Sequence, residues 1–100
     1  MKHTLKGDTL TVWLEGELDH HSATEIRGEL EELIEPNKVR NLILDLKNLS
    51  FMDSSGIGVV LGRYKTLNKR GGTVSVRAPA PRVDRIFTLS GLYQIVGKIG

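Results

Sequence analysis

No cysteine occurs among the 100 residues, which excludes disulfides and thiol catalysis and leaves nothing to favour an oxidising compartment. Aromatic residues are scarce at 5%, with a single tryptophan, so there is little on which nucleic-acid bases could stack. No apolar run approaches the length of a membrane span, and Met1-Lys2-His3-Thr4 lacks the apolar block of a secretory signal. The expectation is a cytoplasmic protein with no membrane and no direct nucleic-acid partner. Catalytic signatures are missing too. Neither Ser54 nor Ser55 lies in a G-x-S-x-G elbow, since Met52 and Asp53 stand two residues before them. Gly56, Gly58 and Gly62 do not have nucleotide-fingerprint spacing, and no lysine completes a phosphate loop. Glu17, Asp19, His20 and His21 invite a metal reading, but there is no H-x-x-x-H pair and His3 is remote, so a solvated loop is expected and no metal or cofactor. The chain reads as a non-enzyme.

A hydrophobic content of 39% over this length suits one compact domain, residues 1–100, with a single core. The net charge of +2 hides an asymmetry. Residues 1–50 carry six Lys/Arg against ten Asp/Glu, net −4, and residues 51–100 carry eight against two, net +6. Such a division can steer a charged partner.

Thr4 to Lys6 and Thr9 to Glu15 read as two strands joined at Gly7-Asp8, with Leu10, Val12 and Leu14 on the buried face and Trp13 on the wetter one. Ser22-Ala23-Thr24-Glu25 matches a capping box, and Ala23, Ile26, Leu30, Leu33 and Ile34 give a helix face that ends at Pro36-Asn37. Leu42 to Leu46 reads as a buried strand. A helix over about Ser55 to Lys69 follows, with Ile57, Val60, Leu61, Tyr64 and Leu67 on its apolar face, and Gly58 and Gly62 expected to permit close packing. Thr73 to Arg77 is another strand. Pro79 and Pro81 introduce a short helix through Val83, Ile86 and Phe87 that stops at Gly91, and Tyr93 to Val96 is expected as a final strand. The order β-β-α-β-α-β-α-β predicts an α/β fold, with a mostly parallel sheet and an N-terminal antiparallel hairpin.

The stretch Phe51-Met52-Asp53-Ser54-Ser55-Gly56-Ile57-Gly58 places two hydroxyls beside a carboxylate where strand turns into helix. A helix start has unpaired N–H groups and a partial positive charge, so an anion could be bound there or attached covalently. A serine cap with no further role satisfies the same residues.

Gly16 to His21, the longer run Leu49 to Lys65, and Ser90-Gly91-Leu92 closely resemble the bacterial anti-sigma factor antagonists of the STAS domain family, nearest the sporulation branch acting on sigma-F. That resemblance implies a STAS-like mixed sheet and a switch. The unphosphorylated protein would bind an anti-sigma factor that is also a serine kinase, carrying ATP, and so release the sigma factor. Phosphate on Ser54, the first serine of D-S-S-G, would end binding, and a PP2C-type phosphatase would remove it. Asp19 and Asp53 would lie at the site, and Ser55, Gly56 and Gly58 would line the partner-binding surface. A stress-response switch or transporter accessory of the same family, or a nucleic-acid-binding module, are the alternatives. The resemblance also implies the further C-terminal helix that the family usually carries after the last strand, whereas this chain stops at Lys98-Ile99-Gly100, so part of the sheet or third helix is expected to be uncovered.

Overall fold

The computed structural model describes residues 1–100. In chain order the elements are β1 (Lys2–Lys6), β2 (Thr9–Leu18), α1 (Ala23–Ile34), β3 (Asn41–Met52), α2 (Ser54–Asn68), β4 (Thr73–Arg77), α3 (Pro81–Leu89), a 3₁₀ turn (Leu92–Gln94) and β5 (Gly97–Ile99). The strands form one sheet in the order β1-β2-β3-β4-β5. The β1–β2 pair is antiparallel and the other pairs are parallel. Each parallel connection steps one strand in the same direction, so right-handed crossovers put all three helices on one face. Alternate strand residues serve that face: Leu10, Val12 and Leu14, Leu42, Leu44 and Leu46, and Val74 and Val76 are buried with Leu30, Ile34, Val60, Leu67, Val83 and Phe87 in one core.

Several local expectations are corrected. β2 and β3 run beyond Glu15 and Leu46 because their extensions pair with each other, Glu15 with Asn48, Gly16 with Leu49, Glu17 with Phe51 and Leu18 with Met52. Register shifts interrupt this pairing, which obscures the alternation in sequence. Residues Tyr93 to Val96 do not form a strand. The buried residues there, Leu92 and Val96, are four apart, and the Val96 amide donates to the Leu92 carbonyl at 2.9 Å, so the segment coils and β5 starts at Gly97.

The capping box at Ser22 is not formed. Ser22 is itself in a helical conformation, and its hydroxyl donates to the Glu17 carbonyl at 2.7 Å. The buried face of α2 is made by Gly56, Val59, Val60, Arg63 and Leu67, with Ile57, Leu61 and Tyr64 only half-buried. Gly58 and Gly62 permit no close approach, since a Cβ on either would meet nothing within 4 Å. Trp13 covers the open sheet face, with Lys2 Nζ 5.3 Å and the Arg77 guanidinium 5.7 Å from its ring.

Candidate functional site: the β3–α2 junction and the β2–α1 loop

The junction is set by one carboxylate. Asp53 is extended, with φ −117° and ψ −166°, and is the N-cap of α2. Its Oδ1 accepts the Ser55 amide at 2.8 Å and the Gly56 amide at 3.4 Å, and its main-chain carbonyl accepts the Ile57 amide at 3.1 Å. The cap is therefore the aspartate and not a serine, because the Asp53 side chain reaches the otherwise unpartnered amides of the first turn. Ser54 is the first helical residue and is exposed, and Ser55 is half-buried. A carboxylate thus already takes two of the amides at this helix N-terminus.

The same aspartate joins two distant parts of the chain. Its Oδ2 accepts the His20 amide at 3.2 Å, and its own amide donates to the Leu18 carbonyl at 3.3 Å. The β2–α1 loop is closed by Asp19, whose Oδ1 accepts the His21 amide at 2.9 Å and the Ser22 amide at 3.0 Å. The amide of Ser22 is the main influence holding the Asp19 carboxyl below the ordinary carboxylate range. Partial desolvation opposes it, and the His21 amide adds to it.

Gly56 does not line a surface. It is buried, and a Cβ there would lie 2.4 Å from Met52 Cγ, 2.8 Å from the Leu18 carbonyl oxygen and 2.9 Å from Leu18 Cγ. Its contribution is to let the start of α2 approach the ends of β2 and β3. Gly58 is exposed, and with Ser55 and Val59 it lines a hollow of about 300 Å³ whose other wall is Ala23, Thr24 and Arg27 of α1. Asp19, Asp53, Ser54, Ser55 and Gly58 therefore belong to one end of the molecule, where the β2–α1 loop meets the start of α2.

Thr24 and Arg27 were not expected there. Their spacing of three on α1, beside the apolar face, was the available signal, but it does not reveal which helix lies opposite. The two histidine rings of the loop pack edge-on with centroids 5.6 Å apart, and His20 serves the site through its main chain. No three His, Cys, Asp or Glu side chains converge as a metal cluster. What the arrangement presents is an exposed serine at a helix start capped by Asp53, which also holds the β2–α1 loop through the His20 amide.

This topology, with an exposed serine following the capping aspartate of α2, is that of a mixed α/β domain, and the chain belongs to the STAS domain family, whose model matches residues 2–100. Over 87 residues the chain is 47% identical to the anti-sigma F factor antagonist of Paenibacillus polymyxa, covering 87% of this chain and 74% of that protein. It is 36% identical over 87 residues to the anti-sigma-B factor antagonist of Bacillus subtilis, covering 87% and 78% of the two chains. The solved structure of the anti-sigma factor antagonist SpoIIAA in its unphosphorylated form matches with a TM-score of 0.85 at 35% identity, over 99% of this chain and 87% of that one. The phosphorylated form of the Bacillus protein matches with a TM-score of 0.76 at 34% identity, over 99% and 90%.

Proposed function

We propose that this chain is an anti-sigma factor antagonist whose unphosphorylated form binds an anti-sigma factor serine kinase and releases the sigma factor, and that phosphate transferred from the kinase's ATP to Ser54 ends that binding. A PP2C-type phosphatase resets it. The observation that carries the reading is Ser54 itself, exposed and directly after the capping Asp53, in a chain matching the family from end to end. The likeness to SpoIIAA in both its unphosphorylated and phosphorylated forms supports a switch that leaves the fold in place. Because no helix is long and apolar enough to cross a membrane, nothing in the helices argues for a transporter's membrane portion.

The physics of the switch is local. A phosphoserine adds roughly 1.5 to 2 negative charges at neutral pH. Asp53 already holds the Ser55 and Gly56 amides, so the new charge gains little from the helix end and stays on the surface beside the Asp53 and Asp19 carboxylates. The partner then meets an acidic patch where it had met a small hydroxyl. Repulsion and desolvation across the contact reduce affinity without a change of shape. Asp19, Asp53, Ser55 and Gly58 form the surrounding contact surface, and Gly56 supports it from below.

Incubation with a sigma-F pathway kinase and ATP, followed by mass spectrometry, tests the assignment. One phosphate on Ser54, and none on Ser54→Ala, is expected. Phosphate retained by Ser54→Ala moves the acceptor to Ser55. A sigma-B stress pathway is the second reading, favoured by the 36% identity to its antagonist. It predicts the same phosphosite with preference for the other kinase.

A further inference from the structure

At the other end of β3 from Ser54, the loops α1–β3 and α2–β4 flank an open hollow of about 440 Å³ lined by Glu35, Lys38, Arg40 and Arg70. Every lining side chain is charged, three of the four positively. We propose that this hollow is a binding site for a phosphate-type oxyanion, either inorganic phosphate or the phosphate group of a small phosphorylated molecule.

The two arginines are held in place by the chain itself. Arg40 Nη2 donates to the Arg70 carbonyl at 3.1 Å, and Arg70 Nη1 donates to the Val39 carbonyl at 3.3 Å, so each guanidinium is tied to the loop that carries the other. A guanidinium has five N–H donors, and these bonds leave several free to face the hollow. The close approach of the loops depends on Gly72, where a Cβ would lie 1.7 Å from the Arg40 carbonyl oxygen. Lys38 is exposed and enters none of the five ion pairs of the protein.

The lining also defines the ligand class. Sites for nucleosides or lipid chains are lined by apolar or aromatic residues, and this one has none of either type, so its recognition falls to charged groups. The surrounding amides are consumed in turns, those of Lys38, Arg40, Gly71 and Gly72 donating to Glu35, Asp8, Asn68 and Leu67 carbonyls. Recognition therefore rests on the three cationic side chains. Glu35, ion-paired with Arg70, and the carboxyl ends of α1 and α2 oppose an anion. If the cations serve only to balance those helix ends, no anion will bind, and the test separates the two cases.

An amide-resolved NMR titration with sodium phosphate, at ionic strength held constant with sodium chloride, reads the site directly. The expected result is saturable shifts at Lys38, Arg40, Gly71 and Gly72, with the Ser54 to Gly58 amides unmoved. Lys38→Gln, which removes one exposed charge, is expected to weaken binding about fivefold, the effect of one unit charge at about 4 Å in water. A parallel titration with pyrophosphate identifies whether one phosphate or two are preferred. Shifts that fail to saturate, that centre on the Ser54 helix start, or that are the same in Lys38→Gln would overturn the proposal. The assay contains no kinase, so its failure leaves the Ser54 switch untouched.

Discussion

Gly56 and Gly58 lie two residues apart in the same helical turn, and the structure assigns alanine opposite effects at the two positions. Both glycines have helical backbones without positive φ, so alanine at either gains about 1 kcal/mol of helix propensity. At Gly58 nothing lies within 4 Å of the added Cβ, and the gain is kept, giving a stabilisation of about 0.5 to 1 kcal/mol. At Gly56 the same atom would stand 2.4 Å from Met52 Cγ and 2.8 Å from the Leu18 carbonyl oxygen. Met52 is buried, and the Leu18 carbonyl is main chain that accepts from the Asp53 amide, so it cannot swing aside as a side chain can. The helix start must move, at a cost of about 1 to 3 kcal/mol for overpacking that exceeds the propensity gain. A net loss of about 1 kcal/mol is expected for Gly56→Ala. Urea unfolding of the parent and both variants, with unchanged slope, measures the difference. Gly56→Ala as stable as the parent, or Gly58→Ala less stable, would refute the packing account of this junction.

Three further outcomes follow from the same contacts. Asp53→Ala removes the cap from the Ser55 and Gly56 amides and the tie to His20, and is expected to cost about 1 to 2 kcal/mol in urea unfolding, with Asp53→Asn recovering much of it. The lowered Asp19 pKa means that its stabilising bonds are fully present above the unfolded value of about 3.9 and are lost as pH falls through the lower folded value; the His21 and Ser22 amide shifts should therefore titrate with a midpoint below 3.9. Arg77→Ala leaves Asp45, only 7% exposed, with the Lys47 amide at 3.0 Å in place of a 2.9 Å ion pair, so a loss of about 1 to 3 kcal/mol is expected, partly restored by adding Asp45→Asn.

Most of the succession of strands and helices was legible from apolar patterning, as in the short apolar run Leu42 to Leu46 followed by Val60 and Leu67 at helical spacing, although the segment from Tyr93 to Val96 was misread as a strand. The ends of β2 and β3 were not legible. Their outer segments mix Glu17, Lys47, Asn48 and Ser50 with Leu18, Leu49, Phe51 and Met52 in a broken alternation, and the bulged pairing that makes them strands shows only in the fold. The same holds within the site. Local sequence placed the serines at a helix start and suggested a serine as the cap, whereas Asp53, an equally good cap, takes that place because its side chain reaches the Ser55 and Gly56 amides. The contact between His20 and Asp53 spans 33 residues, and no pattern in either segment announces it. Gly56 and Gly58 are equivalent as letters, and only the approach of Leu18 and Met52 makes one structural and leaves the other on the surface.

The central claim is that one phosphate on Ser54 controls partner binding through charge. Its most direct test is the affinity of the purified, Ser54-phosphorylated protein for an anti-sigma factor kinase, compared with the unphosphorylated protein by calorimetry. A loss of about hundredfold is expected, with amide shifts confined to the β2–α1 loop and the first turns of α2. Equal affinity of the two forms, or shifts spread through the sheet, would contradict it.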